Sequence, residues 1–295
     1  MATALLHDGA SIEVTSLGDG PAILLPVSTA VVEDEAADQM RAWGADPNLG
    51  RTLAVALADA GFHAVAADYE GHLAQHPKPH TLTADTVAAD LVAIAETGGV
   101  QRFAYYGYSL LALTGLQLAI RTDRLTALAM GGFPPLGGPY EPMLTVTRAA
   151  HRMALANRNT KPATREPQPG DWDAVEVNQT PEQTQQYVTL YESLQDFEER
   201  AALDQLSVPR LAFAGANDNI TYGPKWDNAH VEIANAVDRH RGELVRGGWT
   251  VTLIPDTDHM SAMQAAAVLP ILTPWLISNL ARQKHPTSRA QRAEG

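Results

Sequence analysis

No cysteine occurs among the 295 residues, so disulfides, thiolate metal sites and a cysteine nucleophile are all excluded. Positive charge is also scarce. Lys and Arg number 21 against 34 Asp and Glu, a formal net charge of -13. Nucleic-acid binding needs a basic face that displaces counterions, and this composition argues against such a partner. The one basic cluster is the end of the chain, "RQKHPTSRAQRAEG". It lacks hydrophobic periodicity and reads as a disordered tail over 283–295. Long apolar runs are missing too. The longest candidate, "AMQAAAVLPILTPWLISNLA", is interrupted by Pro270 and Pro274. It falls short of the roughly eighteen uninterrupted apolar residues of a membrane span and reads as a kinked helix packed on a core. The start, "MATALLHDGASIEV", lacks the basic opening and apolar stretch of a signal peptide. A cytoplasmic protein with no membrane partner is the expectation.

What is present is a rhythm. Apolar residues make up 45% of the chain, enough for a sizeable core. "SIEVTSL" and "AILLPV" flank the turn "GDGP" and read as a β-hairpin. "TLAVALADAG" has helical spacing and ends at Gly61, while "HAVAAD" reads as a buried strand. "TADTVAADLVAIAETGG" is an amphipathic helix with Thr83 at its N-cap. Strand "RFAYYG", helix "LLALTGLQLAIR" and strand "LTALAMGG" follow. Further on, "PRLAFAG" and "WTVTLI" read as strands separated by a long helical segment, "PKWDNAHVEIANAVDRHRGEL". Strands alternating with helices predict an α/β fold, a mostly parallel central sheet flanked by helices. The alternation stops over 136–205, where two helical pieces and a polar connector read as a helical insertion.

Ligands of an open parallel sheet bind beyond the carboxyl ends of its strands. "HAVAAD" delivers Asp68 there, "RFAYYG" leads through Tyr108 to Ser109, and "RLAFAG" leads to Asn217 and Asp218. "WTVTLI" is followed by "PDTDH", with His259 at its end. Ser109 stands where strand gives way to helix, so its side chain is either a nucleophile or the cap of that helix. Serine, acid and histidine on successive post-strand loops are the parts that acyl transfer needs. The hydroxyl is too weak an acid to attack unaided, a histidine takes its proton, and a carboxylate fixes the histidine tautomer. Asp256 and Asp258 lie close to His259 in sequence and compete with Asp218 for the last role.

The chain order Ser109, Asp218, His259 resembles the α/β-hydrolase superfamily. "AADYEGH" resembles that family's D-x-x-G-H turn and "GYS" its nucleophile elbow. "GANDNI" resembles its acid loop and "DTDHM" its histidine loop. The resemblance implies a hydrolase core over 1–135 and 206–282 with a helical lid over 136–205. It implies Ser109 as nucleophile, His259 as base, Asp218 as orienting acid and no cofactor. The Leu110 N–H is implied as one oxyanion donor. Ser28, in the loop "PVST" after the first strand of the core, is chosen as the second. The sequence departs from G-x-S-x-G at Leu111, where the second glycine belongs. Gly115, one turn on, is then the expected point of close approach between helix and sheet.

Met143, Trp172, Tyr187 and Tyr191 from the insertion, with Tyr108 and Phe133, are the candidate substrate contacts, and each could equally pack the insertion on the core. Together they point to an uncharged, fairly apolar small molecule, cleaved at an ester, lactone or thioester bond. A non-hydrolytic or C–C bond-cleaving enzyme, a peroxidase-like relative and a ligand-binding receptor are the alternatives on the same fold. His72, His76 and His80 recur every four residues, but Pro77 and Pro79 deny them one continuous helix, so no metal site is expected.

Overall fold

The computed structural model describes residues 2–42, 44–157 and 177–280. The trailing segment 283–295 and Trp172 lie outside them. The chain opens with β1 (Ala2–Leu5), β2 (Ser11–Leu17) and β3 (Ala22–Leu25), followed by α1 (Asp34–Ala42), α2 (Leu49–Asp59) and β4 (His63–Ala66). Next come α3 (Tyr69–Gln75), α4 (Ala84–Thr97), β5 (Phe103–Tyr108), α5 (Leu110–Ala119) and β6 (Leu125–Gly131). The insertion supplies α6 (Tyr140–Asn157), α7 (Pro181–Glu192) and α8 (Glu199–Asp204). The chain then returns through β7 (Arg210–Gly215), β8 (Asn219–Thr221), β9 (His230–Glu232), α9 (Ala234–Arg246), β10 (Trp249–Ile254), α10 (His259–Met263) and α11 (Ala265–Leu280).

Eight strands form one sheet in the order β1-β2-β4-β3-β5-β6-β7-β10. Only the pairings of β2, with β1 and with β4, are antiparallel. From β4 to β10 every pairing is parallel. All six residues of β5 are buried, as a central parallel strand covered on both faces requires. Successive side chains alternate between faces. Tyr105 belongs to the apolar cluster of α4 and α5, and Tyr106 to the cluster of α2 and α11.

Two expectations are corrected. The turn "GDGP" does not close a hairpin, because β2 pairs with β4, and β3 lies beyond β4, between it and β5. Gly18 and Gly20 adopt φ of +72° and +129°, and a Cβ on Gly20 would meet the Gly61 carbonyl oxygen at 2.2 Å. The chain therefore crosses over the turn that enters β4 instead of folding back on itself. The hairpin is formed by β1 and β2 instead. The segment 224–244 is not one long helix either. A short 3-10 turn at Pro224–Trp226 ends where Asp227 and Asn228 take φ of 58° and 53°, and β9 then pairs with β8. Only the last part is helical, as α9.

The caps follow from sequence. Thr83 and Thr86 form a capping box on α4, and Thr180 and Gln183 form one on α7 with Pro181 in its first turn. The run around Pro270 and Pro274 is divided by Gln264, which leaves α10 and α11 as separate helices. Among the described residues no helix is long and apolar enough to cross a membrane.

Candidate active site

Ser109 occupies the N-cap position of α5, yet its side chain accepts no hydrogen bond from the helix. The capping reading of this serine is thereby removed. Its backbone has φ 54° and ψ -120°, a left-handed conformation that non-glycine residues adopt rarely and at a cost. Its N–H donates to the Gly131 carbonyl at 2.8 Å, and its own carbonyl accepts from Ala112 and Leu113. The sharp turn is possible because residue 107 is glycine: a Cβ there would lie 2.2 Å from the Leu111 carbonyl oxygen. The strain thrusts Oγ away from the helix.

That Oγ lies 3.0 Å from His259 Nε2. On the other side of the ring, His259 Nδ1 lies 3.0 and 2.9 Å from the two carboxylate oxygens of Asp218. Asp218 is 1% exposed and His259 8%. Asp218 follows β7 and is pinned through its backbone. Its N–H donates to the Gly215 carbonyl, and its carbonyl accepts from Ala234 at the start of α9. Asp218 is the aspartate that meets the imidazole Nδ1. Asp258 caps α10 by accepting from the Ser261 N–H at 2.8 Å, and Asp256 is exposed on the turn. The histidine loop is seated on Gly215, where a Cβ would meet the Thr257 carbonyl oxygen at 2.4 Å.

Leu110 begins α5, so its N–H has no partner within the helix. Ser28 follows β3, on the strand neighbouring β5. Its position is held from behind by α2, since a Cβ on Gly50 would lie 2.1 Å from the Ser28 carbonyl oxygen. Helix and loop touch backbone to backbone there, a contact that only glycine allows.

The candidate substrate contacts divide. Phe133 and Tyr191 are 4% exposed, and Phe133 meets Tyr140 edge to face at 5.5 Å. Met143 and Tyr187 are half-buried against the same apolar cluster. Tyr108 is 7% exposed, and its hydroxyl donates to the His259 carbonyl at 2.9 Å. No single-residue motif announced that contact; it follows from a strand end and a loop 151 residues apart.

Asp68 turns out to be a cap, accepting from the Gly71 N–H at 3.0 Å. Glu70 beside it went unremarked in the sequence, although burial, then the Asp68 charge, pushes its carboxyl up to about 7. Of the three histidines, His72 and His76 stay neighbours and His80 does not join them. α3 ends at Gln75, the rings of His72 and His76 lie 4.9 Å apart, and His80 is beyond the two prolines.

No family model matches the chain, and no curated protein does. Solved structures do. One is a carboxylesterase from the ammonia-oxidizing Thaumarchaeon Nitrososphaera gargenis, with a TM-score of 0.61 at 13% identity over 94% of this chain and 97% of that one. A second is the enol-lactonase from Burkholderia xenovorans LB400, with 0.56 at 20% identity over 95% and 99%. A third is the bromoperoxidase from Bacillus anthracis, with 0.56 at 18% identity over 95% and 99%. Strand order, elbow and near-complete coverage on both sides agree: the chain has the α/β-hydrolase fold.

Proposed function

We propose that the protein is a serine hydrolase that cleaves an ester, lactone or thioester bond of a fairly apolar small molecule through an acyl-Ser109 intermediate. The observation that carries this reading is the unbroken chain of hydrogen bonds from Ser109 Oγ through His259 to the buried Asp218 carboxylate. As Oγ bonds to the substrate carbonyl carbon, its proton passes to His259 Nε2, and the carbonyl electrons move onto the oxygen. Asp218 holds Nδ1 as the donor and stabilises the imidazolium. The Leu110 and Ser28 N–H groups receive the oxyanion; losing one such donor typically costs about 3 kcal/mol in the barrier. Collapse of the intermediate expels the alcohol, or thiol, with the proton from Nε2. Water then attacks the acyl-serine by the same route and releases the acid.

In this reading the insertion over 136–205 covers the cleft as a lid. Met143 and Tyr187 are its partly open apolar side chains, and Phe133 and Tyr191 form the packed layer behind them. The partner is a small molecule, and the compartment is the cytoplasm. No cofactor is required by the reaction. Chromogenic esters of increasing acyl length, given to the wild type and to Ser109→Ala, test the proposal. The wild type turns over one or more of these esters, and the folded variant is inactive. Hydrogen exchange with and without a covalent inhibitor tests the lid: α6 and α7 gain protection on acylation if they close over the site.

A further inference from the structure

Ser109 and His259 come from different parts of the sheet. Ser109 follows β5, whereas His259 follows β10, three strands away. Proton transfer between them depends on sub-ångström alignment, so something has to hold the histidine loop in register with the elbow. The residue immediately before the nucleophile reaches across this gap.

Tyr108 ends β5, and its ring is confined. A Cβ on Gly131 would lie 2.5 Å from Tyr108 Cδ2, and one on Gly132 would lie 2.5 Å from Cε1. Both glycines thus form a slot that only the absence of side chains leaves open. Phe213 stands 6.1 Å away on a further side, and the His259 imidazole tilts over the ring at 5.2 Å. With the ring held this way the hydroxyl has a fixed place, and it donates to the His259 carbonyl at 2.9 Å. Burial and then the nearby Asp218 carboxylate push the phenol's ionisation up, which keeps it a donor at every working pH.

We propose that Tyr108 is a positioning residue that ties the histidine loop to the nucleophile elbow through its hydroxyl. The proposal rests on Ser109 being the nucleophile. It assigns no chemistry to the phenol, which lies beside the Asp218 carboxylate and holds the His259 backbone. Its effect is on the fraction of time His259 Nε2 spends in line with Oγ. That fraction enters kcat and the rate of acylation, and leaves substrate binding alone.

Tyr108→Phe keeps the ring in its slot and removes only the donor. The expected result is a melting temperature close to wild type, an unchanged KM, and kcat lower by about tenfold, the scale of one lost hydrogen bond. The rate at which a fluorophosphonate labels Ser109 falls by a similar factor. Tyr108→Leu, which also empties the slot, lowers the melting temperature as well. Wild-type kcat and labelling rate in Tyr108→Phe overturn the proposal, and so does a loss of thermal stability with kcat intact, which would mark a purely structural tie. Should the wild type itself fail to label, the nucleophile reading falls, and this proposal falls with it. A labelled wild type with an unaffected Phe variant removes this proposal alone.

Discussion

Gly115 stands against the ring of Tyr105 so closely that a Cβ on it would lie 2.3 Å from Tyr105 Cε1. The ring cannot retreat, since its hydroxyl donates to the Leu111 carbonyl at 2.7 Å and meets the Thr114 hydroxyl at 3.0 Å. Helix α5 thus approaches the sheet one turn after the elbow, and Leu111 is left to fill the apolar cluster, 3% exposed.

Restoring the glycine pattern at position 111 is therefore expected to harm the protein. Leu111→Gly loses about 1 kcal/mol of helix propensity and a further 2 kcal/mol or more of buried side chain. Thermal melting should drop by several degrees with no gain in turnover. Gly115→Leu should be worse, because the Tyr105 ring has no room to move. A Leu111→Gly protein that melts like wild type and works faster would mean that the native elbow is impaired.

The acid at the imidazole gives a second expectation. Asp218→Asn should reduce kcat by several orders of magnitude, since an amide cannot hold the productive tautomer or stabilise the imidazolium. Asp256→Asn should be nearly silent, and Asp258→Asn should cost little stability, since an asparagine oxygen caps a helix about as well as a carboxylate. Steady-state turnover of the three purified variants decides. Greater damage at 256 or 258 would contradict the geometry around His259.

Glu70 carries a pH signature. Its folded carboxyl is pushed up to about 7 from 4.5, by burial first and the Asp68 charge second. The folded state therefore holds this proton more tightly than the unfolded chain. The stability it contributes is full below 4.5 and is lost as the pH rises through about 7. Glu70 is nonetheless an exposed residue, so water screens the effect and the slope is small. Melting temperatures of wild type and Glu70→Gln at pH 5 and pH 8 form the test. The wild type should lose more on going to pH 8. Parallel slopes would show that Glu70 is solvated like any surface carboxyl.

Much of this architecture is legible in the sequence because its signals are local. The apolar run "RFAYYG", the Thr83 cap and the acid and histidine loops each carry their own physical reason. Strand order is different in kind. Nothing local tells β2 to skip β3 and pair with β4, and the crossing depends on a backbone contact between Gly20 and Gly61. The same limit hides the partners of the site. Gly50 behind Ser28 is an ordinary residue until the fold brings it there, and Tyr108, a candidate substrate contact in the sequence, meets the His259 backbone only in the fold. The helical reading of 224–244 fails because two left-handed residues, Asp227 and Asn228, reverse the chain inside an otherwise periodic stretch.

The central claim is that Ser109 is a nucleophile activated by His259, and covalent labelling tests it most directly. The purified protein is incubated with a fluorophosphonate, and the adduct is located by mass spectrometry of its peptides. The account predicts one adduct, on Ser109, absent from Ser109→Ala and formed at a small fraction of the wild-type rate in His259→Ala. An unlabelled wild type, an adduct on another residue, or a folded Ser109→Ala that still hydrolyses esters would contradict it.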